Sequence, residues 1–141
     1  MNRRQLLQST AALTLAGAFA AEAQSSDDIT PETVYELRIY HLNPGKLPLI
    51  LERFRGRERK IFTRHGMHCV AFWTPTEQPL AGQTLVYMLR HKSREAARAS
   101  WAAFQADPEW VALKAESEKD GPFVAKYDIT FLALTDFSPR L

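Results

Sequence analysis

His41, His65, His68 and Cys69 are the side chains in this sequence best suited to bind a metal or haem or to move a proton. His65 and His68 form an H-x-x-H pair, a spacing that serves a metal when one helical turn aligns both rings. Gly66 stands between them and breaks a helix. The pair therefore reads as helix-end capping and ordinary hydrogen bonding, with metal or haem ligation as the alternative. Cys69 lies beside the apolar Val70, Ala71, Phe72 and Trp73 and is the only cysteine, so an inert, buried thiol is expected. No metal site and no cofactor is assigned.

Tyr40, His41, Trp73, Tyr87 and Trp101, together with His65 and His68, form the candidate ligand-binding set, with Trp110 near it in type. Such rings can line a pocket for a flat, apolar or aromatic ligand, and cofactor-free oxygenation would need little more than that shape and a proton acceptor such as histidine. The competing reading is that the rings fill the core. RFRGRERKIFTR places Arg53, Arg57, Lys60 and Arg64 at helical spacing, with Arg55 and Arg59 added and Glu58 alone opposing them. This charge run reads first as a solvated helix face and second as a site for an anion, a lipid surface or a partner. No phosphate loop, paired catalytic carboxylates or Ser-His-Asp order stands out.

The chain has 141 residues, 45% of them hydrophobic and 24% charged, which suits a single globular domain. A formal charge of +2 is small for a protein that lives on phosphate backbones, so no nucleic acid partner is expected. Residues 1–23 read as a signal peptide: a basic head with Arg3 and Arg4, a mildly apolar middle, and the small-x-small end Ala21-Glu22-Ala23. NRRQLLQ is similar to a twin-arginine signal. The apolar run is too short and too diluted for a stable transmembrane segment, so a periplasmic or otherwise exported location is expected. Its removal takes two positive charges and one negative, leaving a nearly neutral chain without an internal disulfide; association would enlarge its core.

The polar residues 24–33 read as a flexible leader. Val34 to His41 alternates as a strand and ends at Asn43-Pro44-Gly45; Leu47 to Arg64 has helical spacing, interrupted by Gly56, which implies close packing or a bend. HCVAFWT and QTLVYMLRH read as two strands of a hairpin, Ser93 caps a second helix, and Asp107-Pro108 opens a third helical segment that runs to about Glu118. A last strand spans Val124 to Leu134. The order is β-α-β-β-α-β, which predicts an α+β, ferredoxin-like sandwich: a four-stranded antiparallel sheet with helices on one face.

In that arrangement the first and last strands are neighbours. Leu37, Ile39, Ile129 and Phe131 are expected under the helices, while Glu36 and Arg38 lie beside Lys126 and Asp128 on the second face, forming a dimer interface of complementary charges. Val86 and Met88 add apolar groups to that face, so two sheets could pack into a dimeric barrel. YELRIYHLNPGK, HGMHCVAFWT, the DPEW turn and FLALTDFSP together resemble the NIPSNAP domain across residues 34–139. The resemblance implies a dimeric α+β barrel, a homodimer, akin to small cofactor-free monooxygenases, muconolactone isomerase-like proteins and haem-binding chlorite dismutase-like proteins. It carries over no catalytic residue.

Overall fold

The alternating run at the head of the domain forms strand β1, Val34–Leu42, in a computed structural model that describes residues 29–141. The expected signal peptide with Arg3, Arg4, Ala21 and Ala23, and the expected leader as far as Asp28, lie outside the described residues. The end of the leader is ordered by its threonines: Thr33 donates its amide to the Thr30 carbonyl, and its hydroxyl accepts the Thr30 amide.

After β1 come α1 (Leu47–Arg53), a π-helical segment (Phe54–Glu58), α2 (Arg59–Arg64), β2 (His68–Trp73), β3 (Thr84–His91), α3 (Arg94–Ala106), α4 (Pro108–Ser117) and β4 (Val124–Leu132). The strands form one antiparallel sheet in the order β2-β3-β1-β4, the ferredoxin-like topology expected from the sequence. Three helix ends have their cause in the sequence. Ser93 caps α3 by accepting the Ala96 amide, and Asp107 caps α4 by accepting the Glu109 amide, with Pro108 in the first turn. Gly66, at φ +78°, closes α2 in a Schellman motif: its amide bonds the Thr63 carbonyl, and the Met67 amide bonds that of Phe62.

The hydrophobic core joins the helices to one face of the sheet, with Tyr40, Leu42, Leu85, Tyr87 and Leu89 from the strands meeting Ile50, Phe54, Ile61, Phe62 and Phe104. Strand register therefore corrects one expectation. Glu36 stands opposite Leu89 and Phe131, Arg38 opposite Tyr87 and Ile129, and Tyr40 opposite Leu85 and Tyr127, so the polar row of β1 faces the helices. Leu37 and Ile39 lie on the other, open face, with Met88, Val86, Thr130 and Asp128. The alternation is as expected and its two faces are exchanged.

The reason is that the polar row satisfies itself. Glu36 is fully buried, yet accepts hydrogen bonds from Arg38 Nε at 2.6 Å, His91 Nε2 at 2.8 Å and Trp101 Nε1 at 2.8 Å. A buried charge is tolerable when it is paired and hydrogen-bonded on this scale. Burial pushes the Glu36 carboxyl upward, but the His91 and Trp101 hydrogen bonds and the Arg38 charge outweigh it and hold it below its ordinary value.

Candidate functional site

Gly56 interrupts the helical pattern of the sequence, and the structure has a change of helix type around it. A Cβ added at Gly56 would meet nothing within 4 Å, so close packing is not what requires glycine. Around it the chain widens into the π turn Phe54–Glu58. Residues five apart diverge on an α-helix of 3.6 residues per turn, whereas the wider turn brings Arg53 and Glu58 together, with Nε to Oε2 at 2.7 Å and both side chains buried. The expected basic face is broken accordingly. Arg53 turns inward, Arg55 pairs with Glu52, and Arg64 pairs with Asp107 and Glu109.

Above the inward-turned pair lies a cleft of about 270 Å³ between the sheet and the helices. Its walls are Phe62, Trp101, Phe104 and Trp110 from the helices and Tyr127 and Ile129 from β4, the last two about half exposed at 51% and 46%. Arg38, Tyr40, Arg53, Glu58, Lys114 and Glu118 supply its polar lining. Arg38 is held by Glu36 on one side and lies over the Trp101 ring, 3.8 Å from Cζ to the centroid; Nη1 donates to the Tyr40 hydroxyl at 3.4 Å. The Tyr40 and Tyr87 hydroxyls are 2.5 Å apart, with Tyr87 fully buried behind Tyr40. Burial pushes the Tyr40 phenol up to about 12 and that of Tyr87 well above its ordinary value, so both stay protonated.

Glu58 is the most perturbed acid of the cleft. Burial raises its carboxyl to about 7, against the opposing pull of the Arg53 charge and hydrogen bond; Glu118 adds to the rise and Lys114 opposes it. Arg53 is itself fixed, donating to Ser117 Oγ at 3.1 Å and lying over the rings of Trp110 and Phe123 at 4.9 and 4.6 Å. The second Glu58 oxygen has no hydrogen-bond partner among the described residues.

Of the seven expected ligand residues, Tyr40 and Trp101 line this cleft and Tyr87 backs it. The other four lie elsewhere. His41 is on the open face, bonded to Asp128 Oδ2 at 2.7 Å, and that bond, with Lys126, lowers the Asp128 carboxyl. His65 joins the end of α2 to the start of α4 through Asp107 Oδ2 at 2.6 Å. There the Arg64 and His65 hydrogen bonds hold Asp107 far below the usual carboxylate range. His68 is in register with Arg90 and hence Tyr35 at one end of the sheet, whereas His41 is in register with Thr84 and Lys126 at the other. Trp73 stands on the open face, 47% exposed. The three histidines are thus dispersed, and among the described residues no group of three or more His, Cys, Asp or Glu side chains is placed to hold a metal.

The interface set divides in the same way: Lys126 and Asp128 lie on the open face, while Glu36 and Arg38 are enclosed on the helix side and cannot reach a second sheet. Cys69 faces the core, and burial raises its thiol to about 11, which agrees with an inert role. Arg53 and Glu58 are the residues that sequence reasoning passed over as parts of a surface stripe. The glycine inside the helix was their one signal.

The fold and the cleft define a ferredoxin-like α+β domain with an aromatic-walled pocket between helices and sheet. The chain belongs to the NIPSNAP family, whose profile it matches over residues 35–139. A NIPSNAP-like domain protein from Burkholderia xenovorans shares 20% identity at a TM-score of 0.69, covering 79% of this chain and 93% of that one. A NIPSNAP family protein from Agrobacterium tumefaciens shares 20% at 0.68, covering 80% and 97%. More distant in sequence is SnoaB, a cofactor-independent oxygenase from Streptomyces nogalater, in a crystal structure that shares 12% at 0.51 and covers 77% and 98%. At these identities the likeness is one of fold. Comparison with the curated proteins finds no match.

Proposed function

We propose that this NIPSNAP protein is an exported homodimer that binds a small, largely apolar or aromatic molecule in the cleft between sheet and helices. The cleft itself carries the reading: aromatic walls, one partly enclosed volume and a few convergent polar groups are the usual composition of a small-molecule site. Arg38 favours a ligand with an anionic or carbonyl oxygen, because its Nη2 has no hydrogen-bond partner among the described residues. The dimer reading rests on the open face, where Leu37, Ile39, Val86, Met88 and Trp73 form an apolar surface that a second sheet would cover. Export rests on the Arg3-Arg4 head and the Ala21-Glu22-Ala23 end; no helix among the described residues is long and apolar enough to cross a membrane. The S. nogalater oxygenase shows that this fold accommodates chemistry without a cofactor, which keeps an oxygenase or isomerase as the second reading.

Calorimetric titration with 2-naphthoate, a planar aromatic acid, tests the site. Saturable binding to the wild type, lost in Ile129→Trp because the larger ring fills the cleft mouth, is the expected result. Equal binding by the variant would place the ligand elsewhere and overturn the reading.

A further inference from the structure

We propose that Glu58 is a proton-transferring residue acting on a planar carbonyl compound with an acidic C–H bond, and that Arg38 and Tyr40 receive the oxygen on which negative charge develops. This deepens the ligand-binding reading and rests on it. Three observations converge. Glu58 lines the cleft with a side chain only 4% exposed, and its second carboxylate oxygen is without a hydrogen-bond partner among the described residues. The first oxygen is clamped by Arg53, which is held in turn by Ser117 and two aromatic rings, so the carboxyl is oriented rather than mobile. Arg38 and Tyr40 line the same cleft, the first always charged and the second, whose hydroxyl sits beside Arg38 Nη1, protonated at any physiological pH.

The electron count closes without an oxidant. The Glu58 carboxylate takes the proton from the carbon next to the carbonyl; the C–H pair becomes a C=C bond and the carbonyl π pair moves to oxygen. The resulting enolate oxygen meets the Arg38 guanidinium and the Tyr40 hydroxyl. The Glu58 carboxylic acid then returns the proton to the same carbon or to a conjugated one, and the second outcome is an isomerisation. A carboxyl near 7 is deprotonated in a large fraction of molecules at neutral pH while being a stronger base than an ordinary carboxylate, which suits proton abstraction from carbon. The charged and titratable groups around it are Arg53 on α1, Lys114 on α4, Glu118 beyond it, Tyr40 on β1, Cys69 on β2, Tyr87 on β3 and Tyr127 on β4.

The test uses 5-nitrobenzisoxazole, a flat probe from which a base removes one carbon-bound proton while the N–O bond breaks, releasing a coloured phenolate. Its unreactive analogue 5-nitroindazole reports binding separately. The expected result is elimination faster than in buffer, rising with pH through an inflection near 7, and falling by about a hundredfold or more in Glu58→Gln. Analogue binding should be retained in the variant. Analogue binding with equal elimination by both proteins would overturn the role of Glu58 and leave the binding site standing. Failure of the wild type to bind the analogue would overturn both readings, and loss of binding in Glu58→Gln alone would make Glu58 a ligand-holding rather than a proton-transferring residue. Should Glu58→Gln fail to fold, the wild-type profile decides, since a rate without an inflection between about pH 5.5 and 8.5 excludes a carboxyl of this kind.

Discussion

Glu58 and Arg53 show how one buried pair can be both a stability cost and a chemical resource. The carboxyl titrates near 7 in the folded chain against an ordinary value of 4.5. Between those values the folded protein holds a proton that the unfolded chain has released, so stability falls as pH rises through the window and levels off above 7. The difference amounts to roughly 3 kcal/mol. Urea unfolding at a series of pH values should show that loss in the wild type relative to Glu58→Gln, and parallel curves would contradict it. The comparison between the two proteins is needed because His68, whose ring is lowered by burial and by Arg90, contributes with the opposite sign. Little of this was legible in the sequence, where Glu58 reads as the lone counter-charge of a basic run. Burial of a charge is set by helix type, at which Gly56 alone hinted, and by what packs above, which has no residue signature.

At the scale of elements, two glycines with similar sequence roles behave differently. Gly66 has φ +78° and ends α2, whereas Gly56 lies within the π segment with open space where a Cβ would stand. Gly66→Ala should cost about 1–2 kcal/mol through backbone strain. Gly56→Ala should stabilise by up to about 1 kcal/mol through helix propensity while keeping the Arg53–Glu58 pair. Denaturant midpoints moving in opposite directions would bear this out; a fall for both would mean that the π turn itself requires glycine. Helix caps were readable because each rests on local chemistry: Ser93, Asp107-Pro108 and Gly66 act on their own backbone neighbours. The facing of β1 was not. Alternation specifies two faces without saying which is inside, and Glu36, Arg38 and Tyr40 read as the outer row until His91 and Trp101 supply their partners.

For the whole molecule, the sheet divides two tasks between its sides. The helix side holds the cleft, and the open side presents Leu37, Ile39, Val86 and Met88 between Trp73 near one edge and the His41–Asp128–Lys126 group near the other. Met88→Glu should therefore convert the proposed dimer to a monomer in light scattering at micromolar concentration, while 2-naphthoate binding in the cleft persists. A dimer that survives Met88→Glu would move the interface off the sheet. Arg38→Glu belongs to the other side: it places a second acid against Glu36 and should abolish 2-naphthoate binding.

Because β1 carries the cleft on one side and the open surface on the other, its length is constrained more tightly than its composition. Deleting a single residue within Val34–Leu42 would reverse the side chains on one part of the strand relative to the rest, sending charge toward the apolar surface and aliphatic groups toward the cleft. Alignments of related chains should thus be ungapped through this strand, with insertions gathered in the connection between Trp73 and Thr84, where no strand or helix sets the count.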